Sequence, residues 1–510
     1  GGMWKTTDKG LNWTLVSRNV SHGSFSSVKI DPTNEQIVYA GTSGKLIKTT
    51  DQGNTWTTSY SESGLTVYEI GISASNPSIV ILATNKGVIR STNAGSTWTK
   101  LFSNETWTIK SKEGSGTVFY AIRDNGTTSD FIKSMDSGAT WSASNTGWWT
   151  PASGEAMTGG IIATCPTNAN KLYAYLIGSG SNLYGYAGVW VSTDDGATWT
   201  NTNPSNSIGN SPVAYAIPAH TNLMANNGVY DMAIVVNPLN DNQLIAGGTS
   251  WFKSTDGGAT WSSLGGYVGT LSWSHPDIQW LAAKGSDLWI ASDGGLNYSS
   301  NFATSMETRM DGISGSNMWG FDSGWNEDIL VGGRYHNGNM GYHQSFPAAT
   351  VYRLGGAESA TGYVNPGPDR KVYHSDIGGK IIKPGFGNGV TNFGVGAWPN
   401  ESYAYYANSE MVFHPNYYNT VYLGNQNKIL VSRDGGVSFD TLYRFPGTVD
   451  NEVFDIEISR SNPSIMYCSQ WDGVDDSIWK TSNGGQSWTK LTALPTPNNN
   501  DRVKMALSST

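Results

Sequence analysis

Four acidic residues stand in one setting along this chain: Glu69 in VYEIGI, Asp231 in VYDMAIV, Asp277 in HPDIQWL and Asp455 in VFDIEI each open an alternating apolar run. Carboxylates repeated on one rim would hold a cation or accept sugar hydroxyls. A position that repeats with the architecture can equally serve it, by satisfying backbone donors of the neighbouring unit. Asp472 and the VDDS run at 474–477 add clustered carboxylates of the kind that take Ca²⁺. They lack EF-hand spacing, and a solvated loop is the alternative reading; Ca²⁺ is the one cofactor these residues allow. Six of the seven histidines fall between residues 220 and 414 without metal-ligand spacing. His275 and Asp277 form a lone His-x-Asp, His336 and His343 sit in Gly/Asn-rich sequence, and His414 aligns with the turn acid Asp31.

The same middle region carries Trp273, Trp280, Trp289, Trp319, Trp325 and Trp398, with Tyr403, Tyr405 and Tyr406. Exposed aromatic rings stack on sugars, so a groove lined by some of them suits a polysaccharide. Trp289 aligns with Tyr39 in a second strand and belongs to the core. Trp319, Trp325, Arg334, Tyr335, His336 and Asn337 lie in less regular sequence and are the candidate ligand-binding residues.

Composition limits what positions these groups. The chain has 510 residues, 62 glycines, 21 tryptophans and 25 tyrosines, and only 14% of its residues are charged. That mixture suits short strands and tight turns. A net charge of -9 argues against nucleic acid or an anionic membrane surface as partner. No apolar run is long enough to insert in a bilayer as a helix. Cys165 and Cys468 alone exclude a disulfide framework, and few cysteines among many Trp, Ser, Thr and Asn fit an exported protein.

One octet dominates the chain: TTDKGLNW, TTDQGNTW, STNAGSTW, SMDSGATW, STDDGATW, STDGGATW, SRDGGVSF and TSNGGQSW. Its central residues are Asp8, Asp51, Asn93, Asp136, Asp194, Asp256, Asp434 and Asn483. The interval from Asp256 to Asp434 has room for three units whose octet has decayed, ending near SDGGLNYS, RYHNGNMGYH and SDIGGKIIK. Around each octet run four short alternating segments, as in SSVKIDPTNEQIVYAGTSGKLIKTTDQGNTWTTS. The pattern predicts an all-β chain, a multi-bladed β-propeller of four-stranded antiparallel blades. In each octet the acid or amide is expected to bond N–H groups two residues on, the Gly to take φ > 0, and the Trp to be buried between blades. The chain opens in a third strand and closes in a first, with about ten complete blades between, so the terminal blades are incomplete. Two tandem propellers are expected, over 1–263 and 264–510, with degenerate octets in 264–431; a single ten-bladed ring is the alternative.

The octets resemble the Asp-box, or BNR repeat, of sialidases, sortilin-type propellers and xyloglucanase-like glycoside hydrolases. That resemblance implies structural octets on the blade periphery, away from the ligand. Sialidase chemistry is not expected, because the arginine cluster and the Arg-Ile-Pro signature are absent. In the xyloglucanase-like enzymes a catalytic Asp sits in a Thr-Asp-Ile-Gly-Gly context between second and third strands. Asp376 in HSDIGGKI matches it, and Asp293 in ASDGGLNY does so more loosely. The two would form the acid and base of glycoside hydrolysis. Lys380 and Ile381 depart from the family's Ala-Tyr-Arg, and turn acids are the competing reading. Many-bladed chains of this look also resemble exported Bacteroidetes cargo of type IX secretion, which carry a C-terminal sorting domain. The expectation is therefore a secreted or cell-surface binding module for a glycan or surface protein, possible member of a secretion complex, with glycoside hydrolase as the alternative.

Overall fold

A computed structural model of the chain describes residues 2–18, 20, 24–126, 128–179, 186–202, 231–266, 275–311, 313, 318–324, 327–334, 338–348, 350–355, 362–374, 378–382, 390–392, 411–471, 476–491 and 503–508. Among these residues there is no α-helix, and ten four-stranded antiparallel sheets follow one two-stranded sheet. In every four-stranded sheet each strand pairs with its sequence neighbour, which is the blade of a β-propeller. Blade one is the pair Trp4–Lys5 and Thr14–Leu15. Blades two to seven span 25–61, 67–102, 106–143, 156–201, 233–266 and 278–308; blades eight to eleven span 318–355, 362–392, 412–444 and 453–491.

The chain divides into two compact units, Gly1–Ser314 and Gly315–Thr510. Blade seven belongs to the first unit: its first strand (Ile278–Lys284) packs beside that of blade six (Ala233–Asn237). In the first unit the first strands of blades two to seven adjoin one another in order. Blade one closes the circuit from both sides. Its Trp13 Nε1 donates to Arg309 O of blade seven at 3.0 Å, and Trp56 Nε1 of blade two donates to its Val16 O at 2.9 Å. Two strands of blade one are described, and Val28 and Ile30 on the first strand of blade two (Phe25–Asp31) are exposed. In the second unit, residues 503–508 run extended beside blade eleven, with Met505 N–H donating to Asp455 Oδ2 at 2.6 Å.

Between the blades lie apolar layers, such as Tyr39, Leu65, Ile70, Val80 and Leu82 between blades two and three. The octets fasten their outer ends at the turn between third and fourth strands. In blade three Gly95 N–H donates to Ser91 Oγ at 2.8 Å, Thr97 N–H to Asn93 Oδ1 at 2.8 Å, and Trp98 Nε1 to Gly95 O at 3.1 Å. The central residue thus holds the N–H four positions on, not two. Its backbone requires two consecutive left-handed residues, so the residue before the Gly also has positive φ, as at Gln52 (61°), Ala94 (54°) and Ser137 (60°).

Two features escaped the sequence. The residue before the octet is a cation in six blades, and in five of them it bonds the left-handed fourth octet residue of the next blade. Lys48 Nζ donates to Ala94 O at 2.8 Å, Arg90 Nε to Ser137 O at 2.8 Å, Lys133 Nζ to Asp195 O at 3.2 Å and Lys253 Nζ to Phe302 O at 2.7 Å; Lys5 reaches the Gln52 side chain. Blade seven also has an octet, SSNFATSM at 299–306. Ala303 N–H donates to Ser299 Oγ and Ser305 N–H to Asn301 Oδ1, each at 2.9 Å, with Ala303 in place of Gly and Met306 in place of Trp. SDGG at 292–295 is instead the hairpin between the second and third strands (Asp287–Ser292 and Gly295–Ser299).

Candidate functional site

Antiparallel order sends the first-to-second and third-to-fourth turns of each blade to one face of a unit, and the second-to-third hairpins and blade-to-blade connections to the other. The octets occupy the first face, and first strands enter from the second. At that entrance the ladder slips by one residue between Phe25 and Ser27, Val67 and Glu69, Thr106 and Thr108, Met157 and Gly159, and Ile278 and Trp280. A bulge re-aims the extra side chain. Four of the five bulged residues, Ser26, Tyr68, Trp107 and Gln279, line one cavity of about 330 Å³ at the centre of the first unit. Ile161, Met232 and Trp280 complete its apolar wall.

The cavity's charges are Glu69 and Lys110, which form an ion pair. Glu69 Oε2 also accepts Thr108 Oγ1 at 2.7 Å and Ile109 N–H at 2.9 Å. It thereby stitches the first strand of blade three to that of blade four, as Asp455 does for Met505, and Asp322 Oδ2 for Val364 N–H at 2.8 Å. Asp231 and Asp277 are buried. Lys110 Nζ stands 5.6 Å from the centre of the Trp280 ring. Tyr68 OH donates to Glu105 Oε1 at 2.5 Å, and burial with this carboxylate pushes the phenol's pKa well up.

Asp293 belongs to the first unit, at the hairpin before Gly295 and so on the entrance face. Gln279, one of the bulged residues, donates to its carboxylate. Asp376 lies outside the described residues, in the second unit, between strands Lys371–His374 and Gly378–Ile382. Trp325, Tyr335, His336, Asn337, Trp273, Trp398, Tyr403, Tyr405, Tyr406 and Asp472 also lie outside them. Trp319 is in the second unit at the same bulge, between Met318 and Gly320, and Arg334 pairs with Met318 across it; only their backbones are described. Trp289 is half-buried against blade one's Gly10.

Sequence reasoning missed Tyr68, Trp107 and Gln279. A residue pair breaking the in-and-out alternation just before each first strand was the available signal, visible in TVYEIGI and ETWTIKS. Two of the described histidines serve turns. His414 Nδ1 accepts Asn416 N–H at 3.1 Å, as Asp31 Oδ1 accepts Thr33 N–H at 2.8 Å in blade two. His343, buried, accepts Ser345 N–H on Nδ1 at 3.1 Å and faces Glu327 at 3.2 Å through Nε2. Arg370 grips the same Glu327 with two bonds of 2.5 Å and, as the larger cause, holds its pKa down at about 2. Among the described residues no three His, Cys, Asp or Glu side chains gather as a metal site, and both cysteines are buried.

No protein-family model and no curated protein matches the chain. Solved structures do. A GH74 enzyme of Niastella koreensis aligns over 96% of this chain and 82% of its own, at 16% identity and a TM-score of 0.48. The GH74 xyloglucanase of Xanthomonas campestris aligns over 92% and 78%, at 14% identity and 0.38. YCF48 bound to D1 peptide aligns over 61% and 91%, at 14% identity and 0.40. At such identities and scores these alignments say nothing of activity; the succession of four-stranded blades itself makes the chain a β-propeller protein.

Proposed function

We propose that the chain is an exported or surface-displayed binding propeller that takes a glycan at the mouth of the first unit's central cavity. The observation that supports this is the repeated bulge. It brings Tyr68, Trp107 and Gln279 to the wall of one space of sugar-binding size, Trp107 lying at the edge of an apolar layer against which Tyr68 also packs. Aromatic faces beside an amide and an ion pair match a pyranose, whose faces are apolar and whose edge is hydroxylated. Export fits the cysteine-poor, tryptophan-rich composition. The test is calorimetric titration with a panel of plant and bacterial oligosaccharides. Binding should weaken at least tenfold in Tyr68→Ala and Gln279→Ala, and persist in Ser91→Ala, which alters an octet. A panel without binders, or both site variants binding as the parent does, overturns the reading.

Glycoside hydrolysis is the second reading, because Asp293 is held by a residue of the cavity wall. It requires a second carboxyl group about 5 to 10 Å from Asp293. Under this reading Asp293→Asn binds oligosaccharide and releases no reducing ends. Equal release by parent and variant removes Asp293.

A further inference from the structure

Resting on the glycan reading, we infer that the first unit's cavity is a blind pocket for the terminal sugar of a glycan chain, with Lys110 and Trp280 as its stop. Lys110 Nζ of blade four stands 5.6 Å from the centre of the Trp280 ring of blade seven. These blades are not neighbours. Blades five and six separate them on one side of the circuit and blades one, two and three on the other, which is as far apart as two blades of this unit can stand. Side chains from such positions meet only across the central channel.

The strands fix the depth of that contact. Glu69, Ile161, Ile234 and Leu281 line the cavity, and each lies three positions before the last residue of its strand (Val67–Ile72, Ala156–Thr164, Ala233–Asn237 and Ile278–Lys284). Lys110 lies one position before the end of its own strand (Thr106–Ser111), nearer the octet face. Its side chain therefore reaches back toward the entrance to meet Glu69 and Trp280. Glu69 is fixed in turn by the Thr108 hydroxyl and the Ile109 N–H. The contacts Glu69–Lys110–Trp280 thus form a bar over blades three, four and seven, across the inner end of the cavity. A polysaccharide threaded through the channel would meet it; a chain end would come to rest on it. The volume agrees, since 330 Å³ falls at the small end of the roughly 300–1,000 Å³ of ligand sites. Trp280 is 50% exposed, so the stop also offers an aromatic surface to a sugar ring. Lys110 and Glu69 neutralise each other, which suits a sugar without charge.

The experiment is calorimetric titration of the full chain with cellotriose and cellohexaose. Their all-equatorial rings present two apolar faces, and the two probes differ in interior length but not in number of ends. They should bind the parent within about threefold of each other, because the bar admits one end of either. In Lys110→Ala and in Trp280→Leu, each of which cuts the bar, cellohexaose should bind more than about threefold tighter than cellotriose, as added sugars then find added wall. The readout is a ratio, so a general loss of affinity in a variant does not imitate it. Trp280→Leu guards against a folding artefact, because the side chain is half exposed; unchanged thermal unfolding verifies it. A larger ratio in the parent, or a ratio still within threefold in both variants, overturns the inference. So does failure of both probes. If another oligosaccharide then binds in a Tyr68-dependent way, the glycan reading stands alone.

Discussion

Replacing Ser91 by Ala isolates what one octet contributes. Ser91 is 1% exposed and its hydroxyl has three tasks: accepting Gly95 N–H at 2.8 Å and Asn93 N–H at 3.3 Å, and donating to Asn93 Oδ1 at 3.0 Å. Alanine keeps the Cβ and removes one oxygen, so packing barely changes while the Gly95 N–H, itself buried, loses its acceptor. A buried donor left unsatisfied costs about 1–3 kcal/mol. Because eleven sheets in two units need not unfold as one transition, global melting is a poor readout. Native-state hydrogen exchange, resolved to peptides around 91–98, is the better one. A loss of about 1–3 kcal/mol speeds exchange there roughly 5- to 150-fold. Exchange in blades five to seven should be unaltered. Unchanged exchange at the octet, or a uniform change across the unit, would refute the view that each octet is a local fastener.

Acid should loosen the octets selectively. Hydrogen bonds from the Thr side chain and backbone four residues on hold Asp51 and Asp136 down at about 2. A depressed folded value means the stabilisation is complete above the ordinary carboxylate range and is lost as pH falls from about 4 towards 2. Exchange at those turns should rise across that window, while Asn93 and Asn483, which do not titrate, keep theirs. Gly196→Ala should destabilise by more than about 1 kcal/mol, since φ is +80° and a Cβ would meet the Phe131 ring at 2.4 Å. Ala303→Gly, at φ 64°, should be neutral or stabilising by up to about 1 kcal/mol; denaturant titration checks both. Lys253→Met orphans the Phe302 carbonyl, so exchange should quicken at 299–306 in blade seven more than around residue 253 itself.

The all-β blades were legible because octet spacing and alternation both repeat, and each is set by local backbone chemistry. SSNFATSM was not, because Ala303 and Met306 replace the Gly and Trp by which the eye finds an octet, while the Ser-x-Asn and the Ser four positions on keep its hydrogen bonds. Asp293 was legible as a hairpin acid. Its contact with Gln279 was not, since cross-strand register depends on a bulge that composition does not announce. The role of Lys48, Arg90, Lys133 and Lys253 before their octets was not legible either, because their partners lie 46 to 62 positions away, in the next blade.

Three clasps of the first unit are borne by one short stretch of blade one: Lys9 on Asp287 at 2.7 Å, Trp13 on Arg309, and Trp56 on Val16. Residues 9–16 therefore tie blade seven and blade two to the same strip of chain, and protease nicking within that strip would slacken both neighbours together.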